Sequence, residues 1–120
     1  MQFELNASMC RHMKPPMKLI SKEIEKALLK NPLHSTENVK CEDKKVIVKY
    51  FTPYGSTAWL VCEAEQIVEN NDWLFFGYVT LDGKKGELGY FLYSDLCDLG
   101  WLERDMYLKP FEQSIREMLK

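Results

Sequence analysis

Between Asp72 and Ser94 the chain reads DWLFFGYVTLDGKKGELGYFLYS. Two apolar, aromatic-rich runs, Trp73-Leu74-Phe75-Phe76-Gly77-Tyr78-Val79 and Leu88-Gly89-Tyr90-Phe91-Leu92-Tyr93, flank a polar turn containing Asp82-Gly83. Apolar runs on either side of an Asp-Gly turn fold back on one another as an antiparallel hairpin. Neither run alternates cleanly between apolar and polar positions. That predicts other elements on both faces and makes this the central hairpin of a small sheet, because a strand with a wet face carries more polar positions.

Gly77 and Gly89 interrupt the two runs, and a glycine inside a strand weakens it unless something compensates. A register with Leu81 facing Glu87 sets Gly77 opposite Phe91 and Gly89 opposite Val79, so that a ring can lie over the bare backbone of Gly77. The other reading of these glycines is a bulge or a close approach of another group to the backbone.

The remaining segments fit around this hairpin. Residues 1–16 show no stable period and end in Pro15-Pro16. They read as an extension, a loose arm with at most one weakly held strand at Phe3-Glu4-Leu5. Residues 17–120 form a single domain. Leu19 to Lys30 reads as a helix with Ile20, Ile24, Ala27 and Leu28 on one face, Ser21 as its cap and Asn31-Pro32 as its stop. A polar connection over 31–44 leads to a strand, Lys45 to Thr52. There Val46, Val48 and Tyr50 share one face and Ile47, Lys49 and Phe51 the other. Pro53-Tyr54-Gly55-Ser56 makes a turn. In the partner strand, Thr57 to Gln66, Ala58, Leu60, Cys62 and Ala64 share a face, with Thr57, Trp59, Val61, Glu63 and Glu65 opposite. Ser94-Asp95-Leu96 reads as a capped turn of helix stopped by Gly100, Asp105-Met106-Tyr107-Leu108 as a short edge strand, and Pro110 as the first residue of a final helix. The assembled expectation is an α+β fold. A mainly antiparallel meander of four or five strands carries an N-terminal and a C-terminal helix, and strands that follow one another without crossover helices exclude a doubly wound sheet.

Composition narrows function more than it defines it. At 120 residues the chain is long enough for one real core. It has no apolar run of about 18 residues to span a membrane, and its start lacks the apolar core of a signal peptide. The expected location is therefore the cytoplasm, with Cys10, Cys41, Cys62 and Cys97 as reduced thiols. These cysteines are widely scattered, and His12 and His34 stand alone, so the expectation is no metal and no cofactor. Net charge is −2 but unevenly placed: residues 61–98 hold eight acidic and two basic side chains, residues 1–30 six basic and three acidic. An acidic sheet half argues against a general nucleic-acid partner. Lys18, Lys22, Lys26 and Lys30 read as a solvated helix stripe, with the basic amino-terminal part as the one place where nucleic acid could bind.

Motifs that carry chemistry are sparse. Gly83-Lys84-Lys85-Gly86 lacks the strand-loop-helix setting of a phosphate loop. Cys62, mid-strand in an apolar row, reads as an inert core thiol. The constellation that remains is polar and acidic. Glu63 and Glu65 lie about 7 Å apart on one strand face, Glu87 opens the next hairpin arm, and Glu103-Arg104-Asp105 precedes the last strand. Brought together, these groups make a salt-bridge network at the sheet margin, with Arg104 paired to Glu63 or Glu87, or else a general acid/base pair or a hard-cation site. Exposed aromatics such as Trp59, Tyr54 and Tyr90 could instead line a recognition surface. The candidate binding residues are Trp59, Glu63, Glu87, Tyr90 and Arg104. No catalytic set is assigned.

Five stretches together, Phe51-Thr52-Pro53, Trp59 with Glu63, Phe75-Phe76-Gly77-Tyr78-Val79, Glu87-Leu88-Gly89-Tyr90-Phe91 and Glu103-Arg104-Asp105, resemble a family of small bacterial proteins described as a domain of unknown function, whose members occur in bacteria, plasmids and phages. Its pattern of a TP turn, a TW…E strand, an FFG strand, an ELGYF strand and an ERD segment is met in order over residues 17 to about 110. Ala58 stands where the family usually has threonine, and Glu65 where aspartate is more usual. Members typically begin near Met17, which fits an added extension. The resemblance implies no established activity. The first functional expectation is thus a small cytoplasmic binding or accessory module, carried by a mobile element and acting through protein contacts. The alternative is a small hydrolase using Glu63, Glu87 and Arg104.

Overall fold

The computed structural model describes residues 19–119. The expected extension over residues 1–16, with its strand at Phe3-Glu4-Leu5, lies outside the described residues. Within them the α+β expectation holds. A helix, α1 (Lys22–Lys30), precedes four strands in a meander, β1 (Val48–Phe51), β2 (Ala58–Ile67), β3 (Asp72–Thr80) and β4 (Gly86–Leu92). A one-turn helix, α2 (Tyr93–Cys97), a two-residue strand, β5 (Glu103–Arg104), and a short C-terminal helix, α3 (Ile115–Met118), follow. The five strands form one antiparallel sheet in the order β4-β3-β2-β1-β5.

The first helix forms where the apolar spacing placed it. The Ser21 hydroxyl accepts a hydrogen bond from the Ile24 amide, and Ile24, Ala27 and Leu28 are buried on one face. These side chains join Val48, Tyr50, Val61, Ala64, Phe75, Leu96 and Leu102 in the larger core cluster. A second cluster, Val46, Leu60, Cys62 and Ile115, lies on the other face of the sheet. Leu60 and Val61 are consecutive in β2 and so point to opposite sides. Face A is therefore covered by α1 and α2, and face B by the C-terminal segment with α3.

Before β1 the alternation expected from Lys45 onward fails, since Val46 joins the face B cluster while Ile47 joins Val48 and Tyr50. Three further features of the sheet differ from the sequence reading. The hairpin is not central: β3 is interior, but β4 is an edge strand. Its apolar character comes from half-burial against large neighbours. The Phe91 ring packs edge-on to Phe75 at 5.8 Å, and the Tyr90 ring lies 4.9 Å from that of Phe76. The hairpin register is also shifted. Gly77 faces Gly89, and Phe91 faces Phe75, so no ring is paired across the ladder with Gly77.

The third difference is a bulge in β2. Val61 pairs with Gly77 and Glu63 with Phe76, leaving Cys62 as the extra residue. A bulge reverses the alternation beyond it. Ala64 consequently joins Val61 in the face A cluster instead of sharing a face with Leu60 and Cys62. Gly77 is the glycine that permits this. A Cβ there would lie 1.9 Å from the Leu60 carbonyl oxygen, inside the backbone of β2. At Gly89 a Cβ would meet nothing within 4 Å.

The C-terminal part was also read differently. Edge pairing falls on Glu103–Arg104 instead of 105–108. Pro110 does not begin the last helix, because Phe111 adopts a left-handed backbone with φ 65° and the following residues run beside the entry to β1. The Phe111 amide donates to the Val46 carbonyl, and the Val46 amide to the Gln113 carbonyl. Ser114 then caps α3 in a capping box with Glu117. The start of α2 is organised from β3: Asp72 accepts from the Ser94 amide at 3.0 Å and the Ser94 hydroxyl at 2.7 Å, so Ser94 is the donor and not the cap.

The two glycines should therefore respond oppositely to one methyl group. Gly77→Ala should cost about 3 kcal/mol by overpacking against β2, lowering the melting temperature by about 10 °C. Gly89→Ala should leave it unchanged within about 0.5 kcal/mol. Thermal unfolding of the two variants beside the parent protein measures both.

Candidate functional site

Register assigns each candidate residue to a face. One cross-strand row runs Arg104–Tyr50–Trp59–Val79–Glu87, through all five strands. Tyr50 belongs to the face A cluster, so Arg104, Trp59 and Glu87 share that face. A second row runs Glu63–Phe76–Tyr90. It lies on face B, since Phe76 adjoins Phe75 of the face A cluster in sequence. The five residues are thus divided between the two sides of the sheet. Arg104 and Glu87, though on one side, stand at opposite edges, four strand spacings or about 19 Å apart. Glu63, Glu87 and Arg104 share no cleft.

The bulge explains the division. With unbroken alternation Glu63 would follow Trp59 and Val61 onto face A, as the sequence reading had it. The extra residue at Cys62 transfers it to face B, into a polar niche built by the loop after α1. Glu63 is only 3% exposed. Its Oε1 accepts from the His34 amide at 2.7 Å, and its Oε2 from the Thr36 amide at 2.9 Å and the Thr36 hydroxyl. The Thr36 hydroxyl also receives Lys44 Nζ at 2.9 Å, and Nζ donates to the Thr36 carbonyl as well. Lys44, itself buried, sits 6.0 Å above the centre of the Phe76 ring.

Asn31 completes the clamp. A bulged residue leaves ladder groups unpaired. The Asn31 side chain donates to the Cys62 carbonyl at 3.1 Å, while the Ala64 amide donates to the Asn31 carbonyl at 3.0 Å. The residue read from sequence as a helix stop is therefore also the partner of the bulge. Nothing in the spacing of Asn31 and Cys62, 31 positions apart, signals this contact.

Titration follows from these contacts. Burial alone would raise the Glu63 carboxyl. The Thr36 hydroxyl, the His34 and Thr36 amides and the nearby Lys44 outweigh it and hold the group below the usual carboxylate range. Its oxygens are engaged by the loop, so the group serves as a structural anion and not as an acid or base. Burial, with smaller contributions from Glu63 and Cys41 against an opposing one from Lys44, pushes the Cys62 thiol up to about 12. Such a thiol is protonated and unreactive at neutral pH. Burial likewise raises the Tyr50 hydroxyl, which donates to the Leu19 carbonyl at 2.7 Å and ties the entry of α1 to β1.

A concavity among the described residues lies at the β5 margin. An open cleft of about 330 Å³ is lined by Lys49, Phe51, Glu103, Arg104, Met106 and Tyr107 among others. Lys49 Nζ stands 5.6 Å over the Phe51 ring, and Arg104 Nη2 donates to the Met106 sulfur at 3.0 Å. Two of its lining residues stand in solvent, Met106 60% and Tyr107 94% exposed, and Trp101, two positions before β5, is 58% exposed. Of the residues singled out from sequence, Arg104 lies here. Met106 and Tyr107, which the sequence pattern places in an edge strand, line the cleft instead. Tyr90, 55% exposed, and Glu87 lie on the far edge with β4. Among the described residues no three His, Cys, Asp or Glu side chains gather as metal ligands, and no helix is long and apolar enough to cross a membrane.

Two of the quoted stretches, Phe51-Thr52-Pro53 and Glu103-Arg104-Asp105, meet at this cleft. Comparison with family models matches residues 19–113 to a protein of unknown function, DUF2958. The chain belongs to this family. The matched region takes in α1 and the whole sheet and stops just before α3. No curated protein and no solved structure matches the chain.

The Glu63 clamp has a pH signature. A carboxylate whose pKa is lower folded than unfolded contributes stability above its unfolded value of about 4.3 and loses it as pH falls through the folded value. Glu63→Gln should cost about 3 kcal/mol at neutral pH, because it leaves Lys44 uncompensated and weakens three hydrogen bonds. It should also flatten the acid limb of the stability curve below about pH 4. Urea unfolding of parent and variant from neutral pH downward reads both effects.

Proposed function

We propose that this protein is a small cytoplasmic binding module that acts through protein contacts, and that its recognition surface is the β5 margin. The observation that carries this reading is the exposure of Met106 and Tyr107 in the lining of an open cleft that also holds Arg104 and Lys49. Exposed aromatic groups beside an arginine are the composition from which interface hot spots are made. The cleft mixes Lys49 and Arg104 with Glu103 and Asp105, which favours a partner with polar groups of both signs over a uniformly charged polymer. Its setting, an accessory protein of bacterial mobile elements, rests on the motif resemblance alone.

The hydrolase reading needs Glu63, Glu87 and Arg104 within reach of one substrate. Their placement on two faces and two edges lends it no support.

Recovery of partners on the immobilised protein, quantified by mass spectrometry, tests the proposal. Truncating Tyr107 and Met106 to alanine should lower recovery of a specific partner about tenfold, the size of a hot-spot loss. Tyr90→Ala, at the opposite edge, should leave it unchanged. A partner held equally well by the Tyr107→Ala/Met106→Ala variant would remove this surface as the recognition site.

A further inference from the structure

The two edges of the sheet are finished differently. The outer edge of β1 is occupied by the C-terminal segment. Glu103 and Arg104 pair with Phe51 and Tyr50, the Asp105 amide donates to the Lys49 carbonyl, and Lys45 bridges Ser114. The outer edge of β4 has no strand, helix or loop hydrogen-bonded to it among the described residues. Exposed edges are normally blunted by proline, by lysine within the strand, by a bulge or by a very short strand. β4, Gly86-Glu87-Leu88-Gly89-Tyr90-Phe91-Leu92, has seven residues, no proline, no lysine and no register break. Tyr90 is more than half exposed on it, and a Cβ at Gly89 would meet nothing within 4 Å.

We propose that β4 pairs with β4 of a second copy of this chain, antiparallel about a two-fold axis at Gly89, joining two five-stranded sheets into one of ten strands. Charge along the edge favours a second copy over an unrelated strand. Lys84 and Lys85, just before the strand, and Asp95 and Asp98, in and at the end of α2 just after it, are all exposed. An antiparallel pair centred on Gly89 sets Gly86 opposite Leu92 of the other copy. The Lys84-Lys85 end of each strand therefore approaches the start of the other copy's α2, where Asp95 and Asp98 are exposed. The two-fold axis repeats this contact, so a single arrangement satisfies both ends. Glu87 faces Phe91 and not its own counterpart, which avoids like charges directly across the ladder. Glycine meets glycine at the axis, so no two side chains crowd one another there on the sheet face. The Tyr90 rings cover the joint from face B. The inference is independent of the recognition surface proposed above, which lies on the opposite edge.

Sedimentation of the full chain over a range of concentrations tests this, with circular dichroism confirming the fold of each variant. The parent protein should dimerise below on the order of 100 µM. Gly89→Lys places two ammonium groups face to face at the axis, where a Cβ has room in the monomer. It should weaken the dimer at least about tenfold. The Lys84→Glu/Lys85→Glu and Asp95→Lys/Asp98→Lys variants should each weaken it about tenfold at low salt. Combining all four changes should restore it, which loss of fold could not imitate. A parent chain that stays monomeric overturns the proposal. So does a dimer indifferent to Gly89→Lys, or a fourfold charge exchange that fails to recover.

Discussion

The close contact between Gly77 and the Leu60 carbonyl organises this molecule. Because no side chain stands between β2 and β3 at that point, Cys62 can be inserted as an extra residue in the ladder. The insertion reverses which residues of β2 face α1. Val61 and Ala64, which unbroken alternation would set on opposite sides, both reach the face A core. Glu63, which it would have set beside Trp59, emerges on face B. A charged residue in the middle of an interior strand is tolerable only with partners, and the loop after α1 supplies them through Thr36, His34 and Lys44. The cost is visible in His34, held in a left-handed backbone with φ 74° while its amide reaches the carboxylate.

This clamp also accounts for the division of the sheet into a fixed part and open margins. Face A is closed by α1, whose entry is held by the Tyr50 hydroxyl and whose exit is held by Asn31. Face B is closed by the loop on Glu63 and by the C-terminal segment that runs along β1 before α3 docks Ile115 against Leu60 and Cys62. The two lateral edges are left differently: exposed Met106 and Tyr107 follow β5, and β4 stands at the other side. In the paired arrangement proposed for β4, each copy keeps its β5 margin at the outer end of the joined sheet. Two copies of a recognition surface held apart on a rigid frame raise the apparent affinity for a partner that offers two sites, without any new contact.

Local pattern carried most of the architecture. Helix α1, with its cap, stripe and stop, was legible because every device that forms it lies within the segment. The four meander strands were legible from β-branched and aromatic runs separated by turn residues. The errors arose where a distant contact decided the outcome. The Gly77 pairing depended on the turn taking its bonds from Asp82 and Thr80, with the Lys84 and Lys85 amides on Asp82 and the Thr80 hydroxyl donating to the Lys85 carbonyl. That closes the ladder at Thr80 and Gly86 instead of Leu81 and Glu87. The last helix starts late because Phe111 and Gln113 are taken up by Val46, more than sixty positions away.

The candidate site shows the same limit more sharply. Placing Trp59 and Glu63 on one strand face was sound arithmetic for an unbroken strand, and one inserted residue undid it. Either glycine of the hairpin satisfied the sequence conditions for a bulge, and only the carbonyl of Leu60 distinguishes them. Grouping Glu63, Glu87 and Arg104 assumed that acidic and basic residues of neighbouring strands converge. Register instead spreads Arg104 and Glu87 to the two ends of a single row. Unlike charges separated by the width of a sheet, with the Tyr50 and Trp59 rings between them, neither neutralise one another nor share a substrate. They mark the two edges of one sheet: the exposed aromatic surface beside Arg104, and beside Glu87 a strand whose outer side pairs with no other strand among the described residues.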